Sequence, residues 1–181
     1  KEVKENGDAV LELASEGGTI SVAGMEQEQP AAPPSKETRS KLGKLLEFSI
    51  NEAATQFMSS ETQKLLSSVN DALFTTKEIK PSDSWETELD NPMISGKKFK
   101  VKTVLVSVDK VDGVDVAKLK QTVTADVDKE GGKLVVDVTF VVSTATGELV
   151  KTEGTIKGIP TNFGPMDWAV KSTKTKGDKK A

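Results

Sequence analysis

Apolar and polar positions alternate over most of the second half of the chain. Leu119, Val123, Ala125 and Val127 share one parity, and Lys118, Lys120, Thr122, Thr124 and Asp126 share the other. A period of two sends successive side chains to opposite faces of a pleated strand, so residues 114–128 read as a half-buried strand. The same reading covers residues 97–108, with Phe99, Val101 and Leu105 on one face, and residues 133–142, with Leu134, Val136, Val138, Phe140 and Val142. Residues 148–159 form a further strand, Trp85 to Leu89 a short one before it, and Met166, Trp168 and Val170 alternate into a last one. Asp112-Gly113, Gly131-Gly132 and Thr146-Gly147 separate these runs. Such pairs supply the positive φ that tight hairpins need, so the runs predict an antiparallel meander.

The first half reads differently. Val10, Leu11 and Leu13 precede Ser15-Glu16-Gly17-Gly18, with Ile20 and Val22 after it, which predicts an N-terminal hairpin over residues 1–24 that joins the sheet. Residues 25–34 turn to Glu, Gln, Ala and Pro and predict an extended linker. From residue 35 the apolar spacing becomes three and four: Leu42, Leu45, Leu46, Ile50, Ala53, Ala54, Phe57 and Met58, then Leu65, Leu66, Val69, Ala72 and Leu73. That period puts them on helical stripes, with Ser35 an N-cap and Ser60/Gln63 a capping box between two helices. The expectation is a helical hairpin over residues 35–76 and a meander over 77–172 within one domain. A one-sided sheet must cover its apolar face, and the hairpin is the available cover. The fold class is therefore α+β: a curved, half-barrel-like antiparallel meander with a helical hairpin on its apolar concave face.

Composition narrows the chemistry. The 181 residues contain no Cys and no His, which removes thiolate nucleophiles, disulfides, Cys/His metal sites and imidazole catalysis. No phosphate-binding glycine loop and no nucleophile-elbow motif occurs, and most carboxylates alternate with Lys and Thr on outer strand faces. The expectation is a chain that is not an enzyme and takes no cofactor or metal. Asp126, Asp128 and Glu130 before Gly131 begin like an acidic calcium loop, but the twelfth position is Asp137 rather than Glu. A strand face entering a turn explains them more simply. The tail from Lys171 carries five Lys and one Asp, or +4, so with a total of −3 the remainder is −7. An acidic body argues against nucleic acid, and residues 173–181 read as a basic, solvated end. No apolar run reaches the roughly 20 residues of a membrane helix. The chain opens at Lys1 without Met, which reads either as a mature form, with removal of a signal peptide or lipid-anchor Cys left open, or as a trimmed one.

The stretch Ile79-Lys80-Pro81-Ser82-Asp83-Ser84-Trp85-Glu86-Thr87-Glu88, with Ala145-Thr146-Gly147-Glu148-Leu149-Val150 inside the meander, resembles secreted or lipid-anchored bacterial proteins. Their sheet is similar to the half-barrel of periplasmic lipoprotein carriers. Ser82 stands where that pattern often has Gly. The resemblance covers residues 35–174. It implies a location in the cell envelope or outside the cell, and an acyl chain or lipidated partner held between sheet and helices. The lining would be Leu46, Ile50, Phe57, Met58 and Leu73 from the helices and Phe99, Val101, Val123, Val138 and Phe140 from the sheet. The competing reading is a structural or protein-interaction module whose core is filled by its own side chains.

Overall fold

The computed structural model describes residues 2–5, 8–13, 18–22, 25–29, 35–40, 45–48 and 57–173. They fall into two compact units, Lys1–Phe74 with Thr161–Gly164, and Thr75–Pro160 with Pro165–Ala181.

The second unit is the meander. Strands β7 (Ser84–Asp90), β8 (Lys98–Val111), β9 (Val114–Asp126), β10 (Lys133–Ser143), β11 (Leu149–Thr161) and β12 (Gly164–Thr173) form one six-stranded sheet in chain order. The sheet is open, with β7 and β12 at its edges, and the registered pairs from β7 to β11 are all antiparallel. The turns follow from their residues. Asp112 and Gly113 both take positive φ, 48° and 80°, which joins Val111 to its partner Val114 by a type I′ turn. Lys80 to Asp83 is a type II turn: Pro81 sets the first bend, Ser82 has φ 76°, and the Asp83 amide donates to the Lys80 carbonyl at 2.9 Å. The Ser82 position is thus one that glycine occupies without strain.

Rows of side chains run across the sheet. On the inner face, Thr87, Val101, Val123, Val136 and Ile156 stand in one row. The next holds Trp85, Thr103, Gln121, Val138 and Gly154, and the next Leu105, Leu119, Phe140 and Thr152. The outer face is a charged ladder, with Glu88 to Lys98 at 3.0 Å and Lys120 to Asp137 at 3.1 Å. Lys118, Lys120 and Thr124 are exposed and Leu119 and Val123 buried, as the alternation predicts; Thr122, expected exposed, is half-buried, and Val127, expected buried, is half-buried just past the end of β9. Two bulges modify the rows. Val106 is extra between Leu105, opposite Leu119, and Ser107, opposite Lys118. Val150 is extra between Lys151 and Leu149, which face Val141 and Val142. A bulge exchanges the faces of every residue beyond it. Ser107, Asp109 and Val111 therefore stand on the outer face, whereas Leu105 stands on the inner one.

The first unit corrects the helical hairpin. Residues predicted as its first helix include two strands, β5 (Ser35–Arg39) and β6 (Leu45–Phe48), and residues 41–44 and 49–56 lie outside those described. These strands complete a four-stranded sheet in the order β1 (Glu2–Val3), β2 (Ala9–Leu13), β5, β6. Lys36 is exposed and Thr38 buried, and the Thr38 hydroxyl donates to its cross-strand partner Glu47 at 3.0 Å. Apolar spacing alone cannot separate a broken helix from short strands when pairing partners exist elsewhere, and Gly43 lowers helix propensity by about 1 kcal/mol. The hairpin expected over residues 1–24 is also repartnered: β2 pairs with β5, and β3 (Gly18–Val22) pairs with β4 (Met25–Gln29), inside the expected linker.

The second predicted helix is present as α1 (Ser60–Val69), followed by one 3-10 turn over Asn70–Ala72. Its cap is Ser59 rather than Ser60: the Ser59 hydroxyl accepts the Thr62 amide at 3.2 Å. Leu65, Val69, Ala72 and Leu73 are buried at helical spacing. Arg39, the chain's only arginine, fixes β5 to this helix by donating to Asp71 Oδ1 and Ser67 Oγ, both at 3.2 Å. Among the described residues no helix is long and apolar enough to cross a membrane.

Two substitutions should move stability in opposite directions. At Gly154 a Cβ would run into the Asp137 carbonyl oxygen and Val138 Cα of β10, so Gly154→Ala should destabilise by about 2 kcal/mol and lower the melting midpoint by roughly 4–8 °C. Ser82→Gly should raise it by about 1–4 °C, because relief of a left-handed residue, about 1–2 kcal/mol, exceeds the added chain entropy of about 0.5–1 kcal/mol. Thermal melts of both variants beside the parent check this.

Candidate functional site: a cavity on the outer face of the sheet

The ten residues expected to line a ligand are distributed as follows. Phe99, Val101, Val123, Val138 and Phe140 all lie on the inner face of the six-stranded sheet, each no more than 8% exposed. Val101 and Val123 are direct cross-strand partners. In the first unit Met58 and Leu73 are buried, whereas Leu46 and Phe57 are exposed. The Phe57 ring lies tilted against Phe163 with centroids 6.3 Å apart, and the Asn162 amide donates to the Phe57 carbonyl at 2.9 Å. Ile50 lies outside the described residues.

The inner face is less oily than its sequence parity suggests. Thr103 and Gln121 are fully buried within the Val138 row, and Gln121 Nε2 approaches Thr103 Oγ1 at 3.5 Å. The Thr152 hydroxyl is buried in the adjoining row and makes no hydrogen bond. A polar strip therefore crosses the middle of the expected lining.

A concave site exists on the opposite face, at the bulged end of the sheet. A cavity of about 430 Å³ is lined by Asp109, Val111, Val116, Lys118, Thr139, Val141, Lys151 and Glu153. Val141 stands directly between Lys118 and Lys151 in one row, with Asp109 opposite Val116 in the next. The bulge at Val106 turns Asp109 and Val111 toward this face. Val116 has the parity of the exposed Lys118 yet is only 2% exposed. The turn after β10 is drawn against β9 nearby, where the Thr144 amide and hydroxyl both donate to the Asp115 carbonyl, at 3.0 and 3.2 Å.

Charge in the cavity is partly spent. Lys151 Nζ lies 2.7 Å from Glu153 Oε2, and the Ser107 hydroxyl donates to Asp109 at 2.5 Å. Lys151 holds the Glu153 carboxyl below the usual glutamate range, first by this hydrogen bond and then by its charge, with smaller help from Lys171 and Lys118. Lys118 makes no ion pair among the described residues. The site thus offers a valine floor, one acid paired to Lys151, one acid held by a neutral hydroxyl, and the Lys118 ammonium, which makes no ion pair among the described residues.

The acidic run at the other end of the sheet does not converge on a cation. Asp126 pairs with Lys133, while Asp128 Oδ1 accepts the Glu130 and Gly132 amides at 2.9 and 2.8 Å and shapes the turn. Lys133, and less strongly Lys97, hold the Asp126 carboxyl below its ordinary range. Asp126 and Asp128 border a smaller cavity of about 260 Å³ that Lys97, Lys129 and Lys133 also line. Among the described residues no three carboxylates group to hold a metal ion.

The outer cavity was missed because its residues look like solvated strand positions. The available signal was valine at outer parity: Val116, Val135 and Val141 interrupt an otherwise Lys/Thr/Asp ladder. Comparison with protein-family models, with curated proteins and with solved structures finds no match to this chain.

The Glu153 carboxyl should titrate below the ordinary value of about 4.3, and in Lys151→Met its midpoint should rise toward that value. The shift is downward in the folded state. Its stabilisation is therefore complete above the unfolded glutamate value and is lost as pH falls through the folded one. Carboxyl-detected NMR titration of parent and variant reads both midpoints.

Proposed function

We propose that this chain is a non-enzymatic protein-interaction module with a self-filled sheet, and that its cavity over β8 to β11 receives an extended segment of a partner protein. The observation that carries this reading is Lys118, an unspent cation beside the Val116–Val141 floor. A segment with a carboxylate next to a small branched apolar side chain fits that pair of features: the side chain covers the valines and the carboxylate meets the ammonium. Glu153 is matched by Lys151, and the Asp109 carboxylate is held by the Ser107 hydroxyl, so Lys118 is the cation of the lining that makes no ion pair among the described residues.

The alternative, an extracytoplasmic carrier of an acyl chain or lipidated partner, draws on the contiguous valines and phenylalanines of the inner face. Against it, the five sheet residues it needs are already shielded, and Thr103 and Gln121 interrupt the surface an acyl chain would follow. Buried polar groups disfavour hydrocarbon contact.

One experiment separates the two. A displayed random-peptide library is selected on the delipidated full-length protein, and binding of a fluorescent fatty acid is measured in parallel. The expected result is enrichment of peptides with an acid beside Val, Ile or Leu, at least about tenfold weaker on Lys118→Glu and on Val141→Asp, and no saturable fatty-acid binding. Melts of both variants within a few degrees of the parent exclude unfolding as the cause. Saturable fatty-acid binding with no peptide that distinguishes the parent from Lys118→Glu would overturn the proposal in favour of the carrier.

A further inference from the structure

The two edges of the six-stranded sheet differ in what they can accept. Edge strand β7 carries Glu86, Glu88 and Asp90 on one face. An antiparallel pairing with its own copy must keep faces matched, so partner numbers sum to an even constant. Every such register with substantial overlap sets one of these acids against another, or Glu86 or Glu88 against itself. Like charges directly opposite are destabilising, so β7 is protected against self-pairing.

Edge strand β12 behaves oppositely. Met166, Trp168 and Val170 are half-buried on one face, and Asp167, Ala169 and Lys171 are exposed on the other. Placing a twofold axis at Ala169 pairs Asp167 with Lys171 of the second copy, and Lys171 with its Asp167. The same register sets Trp168 against Val170 and Met166 against Ser172. Each charged residue meets its opposite, and each aromatic meets a β-branched residue, which are the favourable cross-strand pairs of an antiparallel sheet. Moving the dyad by one residue breaks both ion pairs.

We propose that β12 is a homodimerisation edge, on which a second copy of this chain adds antiparallel about Ala169 to make one continuous twelve-stranded sheet. The contact is isologous, so it closes as a twofold dimer rather than extending into a filament. The interface is small, and the dimer is accordingly of the weak, reversible kind. The proposal does not depend on the outer cavity, which lies over other strands.

The chain's lack of cysteine makes the register directly testable. Residues facing across an antiparallel pair have Cα atoms about 4.5–5.5 Å apart, within disulfide reach. Full-length Ala169→Cys should cross-link to a covalent dimer under mild oxidation at least about tenfold faster than the mid-sheet control Thr155→Cys. Sedimentation velocity up to about 1 mM should show reversible dimers of the parent. Lys171→Asp alone and Asp167→Lys alone should each dimerise about tenfold more weakly. An equimolar mixture of the two should recover dimers, because the mixed pair restores both opposite-charge contacts. Because Asp167 also accepts the Gly158 amide at 2.9 Å, melts accompany its variant, and the mixing result stands apart from any loss of that bond. A parent that stays monomeric to about 1 mM, with Ala169→Cys cross-linking no faster than the control, would overturn the proposal. So would dimers that neither charge reversal weakens.

Discussion

The uninterrupted register between β9 and β10 is the constraint on which the second unit rests. Eleven consecutive residue pairs, from Lys133–Asp126 to Ser143–Val116, meet without a bulge. A slip of one position would bring Lys118, Lys120 and Thr124 to the inner face and send Leu119 and Val123 to water, so burial on one side alone fixes the alignment. The neighbours inherit it. Strand β8 follows β9 until Val106 is pushed out, and β11 follows β10 as far as Lys151 before Val150 interrupts. Both bulges fall at the same end of the sheet, on the flanks of the regular pair. The outer cavity lies there too, beside the residues whose faces the bulges exchange.

Legibility in the sequence tracks how local the determining physics is. The meander can be read directly because side-chain alternation and turn chemistry are short-range: Asp112-Gly113 and Pro81-Ser82 act within four residues. The first unit is harder to read because its outcome depends on partners. Residues 35–39 have no strong preference of their own, and their strand exists because β2 supplies a ladder on one side and β6 on the other. Arg39 shows the same dependence. In the sequence it is one more charge beside Thr38 and Ser40; in the fold it reaches 32 positions along the chain to Asp71.

The sites follow the same rule. The inner-face residues Phe99, Val101, Val123, Val138 and Phe140 were placed on a common face from parity alone. Their polar neighbours Thr103 and Gln121 share that parity and are equally buried, but a hydroxyl and an amide carry no core signal in a sequence. The cavity residues were invisible for another reason. Asp109 and Val111 change face only through the extra residue at Val106, and nothing in Val-Leu-Val-Ser marks which of the four will be squeezed out.

Trp85 and Trp168, the chain's two indoles, sit on β7 and β12, the opposite margins of the sheet, and both are half-buried. With no tyrosine to contribute, emission excited at the red edge of the protein's absorption, where phenylalanine does not absorb, originates at those two margins. An ordinary fluorimeter therefore watches the borders of the sheet. Fraying of a rim would dim or redden the signal while the central strands stayed paired, so optical and calorimetric transitions that separate would time the loss of the margins against the loss of the centre.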